Sequence, residues 1–85
     1  MTQSENNSVK RVFLVDDHPL VRERLAQLID QQPDLQVCGE ASDVSEALEG
    51  LERAMPDVAV VDLSLKNSNG LELIKDIKAR GWDIP

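Results

Sequence analysis

Three short apolar runs, VFLV at 12–15, LQVC at 35–38 and VAVV at 58–61, are separated by segments with helical periodicity. That alternation limits the chain more than any other feature. Strand, helix, strand at this spacing means right-handed crossovers and a parallel sheet with helices on its faces. RVFLVD (11–16) reads as a strand buried on both faces. Pro19 suits the first turn of a helix, whose apolar face is Val21, Leu25, Leu28 and Ile29 and which Pro33 ends. LQVCGEA (35–41) is the second strand, weakened near its far end by Gly39. Asp43 and Glu46 have capping-box spacing, with Asp in place of Ser or Thr. Val44, Ala47, Leu48 and Leu51 face the core from the second helix, and Pro56 closes it. VAVVD (58–62) is the third strand. After the loop LSLKNSN, Asn69 caps a third helix, with Glu72 three residues on and Leu71, Ile74 and Ile77 as its apolar face. Gly81 is the C-terminal stop, and WDIP begins another extended segment.

Strands one and three are apolar throughout and want neighbours, whereas strand two carries Gln36 and Glu40 and suits an edge. The order 2-1-3 follows, with the first helix on one face and the second and third on the other. Strand order reverses between strands one and three, and a crevice opens there above the carboxyl ends of the strands.

Asp16 and Asp17 end strand one and Asp62 ends strand three, so the three converge in that crevice. Two carboxylates about 5 Å apart repel by roughly 3 kcal/mol at an effective dielectric of about 20, and a third adds to this. Either their pKa values rise or a cation neutralises them. Any one of these aspartates is ordinarily a turn or cap residue; the conjunction on adjacent strands favours a cation. Hard oxygen ligands at this position suit Mg²⁺ rather than zinc, since no cysteine lies nearby. His18, just before Pro19, reads as a helix-initiating residue rather than a catalyst. No Ser/His/Asp arrangement is present to activate the Ser64 hydroxyl. The acidic side of helix two, Glu46, Glu49 and Glu52, reads as a solvated face.

Composition narrows the function classes. With 85 residues the chain is one small domain or part of one. One Phe, one Trp and a net charge of −7 argue against a base-stacking or nucleic-acid-binding surface within it. The one cysteine, Cys38, lies in an apolar run, reads as a small core residue and fits a reducing compartment. No stretch approaches the ~18 consecutive apolar residues of a membrane span. Residues 1–9 form a polar tail that lacks the features of a signal peptide, and the expected location is the cytoplasm.

DDHPLVRERL, VAVVDLSL and NGLELIKDI together resemble the receiver domain of bacterial two-component response regulators, and DDHPLVR resembles the NarL/FixJ-type subfamily. The resemblance spans residues 10–85. It implies a flavodoxin-like receiver fold, here truncated to three of the family's five β/α units. It also implies that Asp62 accepts a phosphoryl group from a sensor histidine kinase. Asp17 would bind Mg²⁺ directly, Asp16 would act through bound water, and the backbone carbonyl of Ser64 would complete the protein's share of the shell. Such a domain is not an enzyme acting on separate substrates, and it controls transcription through a DNA-binding output domain that this chain does not include.

The family's Thr or Ser at the end of strand four and Lys at the end of strand five would lie beyond Pro85. Lys66 is not their counterpart, and LSLKNSNG lacks the Pro common in relatives after the acceptor. A strand three left at an edge with VAVV exposed is sticky, which predicts that the isolated chain is either partly molten or pairs strand three with another copy, as a homodimer or strand-exchanged oligomer. Two other classes remain open: a truncated interaction module that is not phosphorylated, and an aspartyl-phosphate phosphatase. The latter wants a second acid two residues after the nucleophile, where this chain has Ser64.

Overall fold

The computed structural model describes residues 9–62, 70–82 and 84–85. In chain order the elements are β1 (Lys10–Val15), α1 (Pro19–Asp30), β2 (Leu35–Ala41), α2 (Val44–Ala54), β3 (Val58–Val61) and α3 (Gly70–Ala79). The sheet has the order β2-β1-β3, and both pairings are parallel. This is the topology expected from the spacing. Strands one and three each stop one residue before the predicted end, so Asp16 and Asp62 follow the last ladder residues. Their backbone amides still bond onto the sheet, Asp16 N–H to the Ala41 carbonyl at 3.0 Å and Asp62 N–H to the Val15 carbonyl at 2.8 Å.

β1 is the centre of the molecule, and Val12, Phe13, Leu14 and Val15 are all buried. Alternate residues serve opposite faces. Phe13 and Val15 join Ala41, Ala47, Leu51, Leu73 and Ile77 in the core beneath α2 and α3. Leu14 faces α1 across a groove shared with Val21, Leu25 and Val60. That second face is thinly covered: α1 buries no residue completely, and Val60 is 44% exposed. Val21 and Leu28 are accordingly more exposed than their periodicity suggested, while Leu25 and Ile29 are half-buried.

The third helix is rotated from its predicted face. Leu71 is 51% exposed and Leu73 is fully buried, so Leu73 and Ile77 carry the contact and Ile74 lies at its margin. Asn69 lies outside the described residues. The helix ends as Gly81 requires. Gly81, at φ 76°, donates to the Lys78 carbonyl, and Trp82 N–H donates to that of Ile77. This is a Schellman motif, with Trp82 packed back on the core. The Pro85 carbonyl accepts from Ala59 N–H on the outer side of β3 at 3.1 Å.

At α2 the Asp43 carboxylate accepts from Glu46 N–H at 2.8 Å, as predicted. The return half of the capping box is displaced by one residue, because Glu46 accepts from the Ser42 amide at 2.6 Å rather than from that of Asp43. Pro56 follows the helix end, but the turn itself is made by Met55 in the left-handed region, φ 44°. Arg11 holds that turn, donating to the Ala54 carbonyl at 2.7 Å, while its backbone N–H bonds the Asp57 carboxylate at 2.8 Å.

A bulge in β2 tunes the core. The register passes from Val12 opposite Val37 to Phe13 opposite Gly39, leaving Cys38 as the extra residue, half-buried against the core. The Phe13 ring thereby lies between two glycines. A Cβ on Gly39 would sit 2.6 Å from the ring, and one on Gly50 2.5 Å. Gly50→Ala gains about 1 kcal/mol of helix propensity. Overpacking a buried ring costs about 1–3 kcal/mol, and the rigid ring cannot yield as a flexible side chain would. The clash should win, so Gly50→Ala lowers the thermal midpoint, and adding Phe13→Leu recovers part of the loss. A Gly50→Ala variant more stable than the parent in a melting experiment would refute this packing argument.

Candidate functional site

The site is built where β1 and β3 end side by side. Asp16 and Asp17 leave β1, His18 stands at the cap position of α1, and Asp62 leaves β3. Asp16 is 8% exposed, the only charged residue among the buried ones described. One ligand atom from each of Asp16, Asp17, His18 and Asp62 lies within 4.8 Å of the others. The structure therefore brings together the three aspartates read from the sequence. Ser64, expected to contribute its backbone carbonyl, lies outside the described residues, as does Lys66.

His18 does more than start the helix. Its backbone N–H donates to Asp16 Oδ1 at 2.8 Å, closing the turn. Its Nδ1 lies 2.8 Å from Asp16 Oδ1, 3.1 Å from Asp17 Oδ1 and 3.4 Å from Asp62 Oδ2. The ring is aimed at the middle of the cluster, where a positive charge is most favourable. The hydrogen bond that the protonated ring donates to the Asp16 carboxylate raises the His18 pKa above the ordinary 6.5, and the charges of Asp17, Asp16 and Asp62 add to this against a smaller opposing effect of desolvation. As an imidazolium it neutralises part of the repulsion but has no lone pair to offer a metal. With its side chain 47% exposed, it can turn outward without disturbing the core.

The carboxylate set fits Mg²⁺, a hard cation that binds through one or two carboxylates and retains water. Asp16, Asp17 and Asp62 would supply the oxygens, while the imidazolium competes for the same negative charge.

A second residue went unnoticed in the sequence. Arg22, one turn into α1, donates from a terminal nitrogen to the Asp16 carbonyl at 2.6 Å and from Nε to Glu40 Oε1 at 2.9 Å. The available signal was an arginine on the inner side of a helix opposite a Glu on the edge strand.

The sequence profile of the response regulator receiver domain matches residues 12–85. The chain belongs to this family of two-component signalling modules, and its three-stranded sheet is part of the flavodoxin-like receiver fold. Among similar proteins is the DNA-binding transcriptional activator DevR/DosR of Mycobacterium tuberculosis, 47% identical over 74 residues, covering 87% of this chain and 34% of that protein. The transcriptional regulatory protein LiaR of Bacillus subtilis is 45% identical over 67 residues, 79% of this chain and 32% of that protein. The crystal structure of a LuxR-family two-component response regulator from Aurantimonas sp. SI85-9A1 superposes with a TM-score of 0.80 at 42% identity. It covers 89% of this chain and 53% of that one. The chain thus spans about a third of the length of these two curated relatives. No helix among the described residues is long and apolar enough to cross a membrane.

Because the folded pKa of His18 is raised, its charge contributes stability that is fully present below 6.5 and is lost as pH rises through the folded value. A divalent cation in the same cluster should displace the proton. His18 is the chain's one histidine, so its ring resonances are assigned by inspection. An NMR titration should show a raised pKa that falls when Mg²⁺ is added, and Mg²⁺ binding that weakens as pH drops through the raised value. A His18 pKa indifferent to Mg²⁺ would show that ring and cation do not compete.

Proposed function

We propose that the chain is the phospho-acceptor portion of a response regulator, taking a phosphoryl group onto Asp62 from the phosphohistidine of a sensor kinase. The observation that carries this is the meeting of Asp16, Asp17 and Asp62 at the ends of two adjacent parallel strands. In the transfer an Asp62 carboxylate oxygen bonds to phosphorus as the bond from phosphorus to the donor nitrogen breaks, and the donor leaves as neutral histidine after taking up a proton. A bound Mg²⁺ would supply charge neutralisation for the anionic donor and the anionic nucleophile.

The protein's own residues supply the rest. β3 fixes Asp62 through the bond from its amide to the Val15 carbonyl. Asp17 would be a direct ligand and Asp16 would act through water, with the Ser64 carbonyl completing the set. On this reading the chain is a signalling module rather than an enzyme, works in the cytoplasm, and reaches DNA through a separate output domain. DevR/DosR, a DNA-binding transcriptional activator, supports that last point by similarity.

Incubating the chain with Mg²⁺ and a small acyl-phosphate donor and then weighing it intact tests the reading. One added phosphoryl group is expected, and none on Asp62→Asn. No adduct under conditions where a full-length relative reacts would favour a docking module that is not phosphorylated.

A second reading, pairing between copies, is favoured by β3. Val60 is exposed, and apolar grooves flank the strand on both faces, one lined by Leu14, Val21 and Leu25, the other by Ile74, Ile77 and Ile84. The isolated 85-residue chain should sediment as a dimer or larger species at high concentration. A monomer that melts sharply and cooperatively would refute this.

A further inference from the structure

We propose that Arg22 is a positioning residue for the acidic cluster, a brace that fixes the peptide plane between Asp16 and Asp17 and so sets where Asp17 presents its carboxylate. This rests on reading the cluster as a cation site.

Three anchors hold Asp16. Its N–H is bonded to the Ala41 carbonyl of β2, its carboxylate meets both the N–H and the ring Nδ1 of His18, and its carbonyl accepts from Arg22. The His18 turn restrains the peptide plane that follows Asp16 only through the Asp16 side chain, and nothing but Arg22 holds the carbonyl of that plane directly among the bonds described. The carbonyl oxygen is one end of that plane, and Arg22 grips it at 2.6 Å with a charge-assisted bond. The far end of the same plane is the Asp17 nitrogen. Turning the plane would swing Asp17 out of the cluster, and it cannot turn without breaking the Arg22 bond.

Arg22 is itself held from two directions. Its backbone N–H donates to the His18 carbonyl at 2.9 Å, in the first turn of α1. Its Nε pairs with Glu40 on the edge strand at 2.9 Å, and the pair is only partly exposed on the arginine side, at 22%. Helix, edge strand and central strand are therefore tied at the one backbone atom that orients the aspartate pair. Glu40 has a further role. It balances the guanidinium charge, so Arg22 can brace the carboxylates without acting as their counterion. Lysine cannot replace it fully, because one ammonium on a flexible stem lacks the two-directional fork.

The test measures binding of Mn²⁺, a spectroscopic stand-in for Mg²⁺, by water-proton relaxation on the full 85-residue chain. Wild type, Asp17→Asn, Arg22→Ala, Arg22→Lys and Glu40→Gln are compared at a temperature where β1 amides remain protected from exchange. The expected result is wild-type binding lost in Asp17→Asn and weakened at least about tenfold in Arg22→Ala, the low end for a partner outside the ligand set. Arg22→Lys should recover part of the affinity. Unchanged affinity in both Arg22 variants, with β1 still protected, would overturn the proposal. A purely structural arginine would lower the melting midpoint without moving affinity at low temperature.

If wild type and Asp17→Asn bind Mn²⁺ alike, the cation-site reading fails, and exchange of the His18 amide judges the brace on its own. Faster exchange in Arg22→Ala with an unchanged β1 ladder upholds it; unchanged exchange refutes it. Should Arg22→Ala lose the ladder itself, Arg22→Lys and Glu40→Gln decide by the same measures.

Discussion

Three carboxylates held at the ends of two adjacent strands repel one another, and the rest of the structure has to hold them there. Each would be more comfortable in water, yet Asp16 is buried and Asp17 and Asp62 are largely so. What restrains them is the parallel ladder. β1 pairs on both sides, and the amides of Asp16 and Asp62 extend its hydrogen bonding one step past the last strand residue. Moving the backbone of either Asp16 or Asp62 away from the cluster means giving up a buried backbone hydrogen bond. Such a loss costs about 1–3 kcal/mol when the group is left unsatisfied, comparable with the repulsion it opposes. His18, when protonated, offsets part of what remains, its Nδ1 lying within 3.4 Å of an oxygen of each of the three carboxylates.

This constraint explains an unequal distribution of packing. Most of the buried apolar volume lies beneath α2 and α3, around Phe13, Leu51 and Leu73. That face anchors β1 through a bulky ring fitted between two glycines. The opposite face, under α1, is lightly packed, and α1 is attached largely by polar bonds: Arg22 to Asp16 and Glu40, and Asp30 to the Val37 amide at 3.1 Å. The Asp30 bond also occupies an outward amide of the edge strand and puts a charge beside it, which discourages another chain from pairing there.

Much of this was legible in the sequence because it rests on period and polarity. Strand order came from the contrast between uniformly apolar VFLV and VAVV and the Gln36 and Glu40 of strand two. The meeting of Asp16, Asp17 and Asp62 followed from that order alone. The misreadings were of rotation and detail. Leu71 and Ile74 fit a helical stripe as well as Leu73 does, since leucine and isoleucine occupy four of the first eight positions of α3 and periodicity cannot rank overlapping faces. Packing against α2 chose Leu73. The Cys38 bulge and the Phe13–Gly50 contact join residues distant in sequence through shape, which polarity does not encode.

His18 and Arg22 escaped for a related reason. Both lie in DDHPLVR; local chemistry gave His18 a sufficient ordinary role in starting a helix, and nothing local singled out Arg22. Their further roles appear only when β1, β2 and α1 are assembled, because each acts on atoms that sequence does not show as special: the centre of a carboxylate triangle and one backbone carbonyl. A helix dipole could favour the same acids at the start of α1, yet it cannot orient them, since its field is diffuse along the axis. Direction comes from bonds with geometry, and at this site those are the His18 turn and the Arg22 fork.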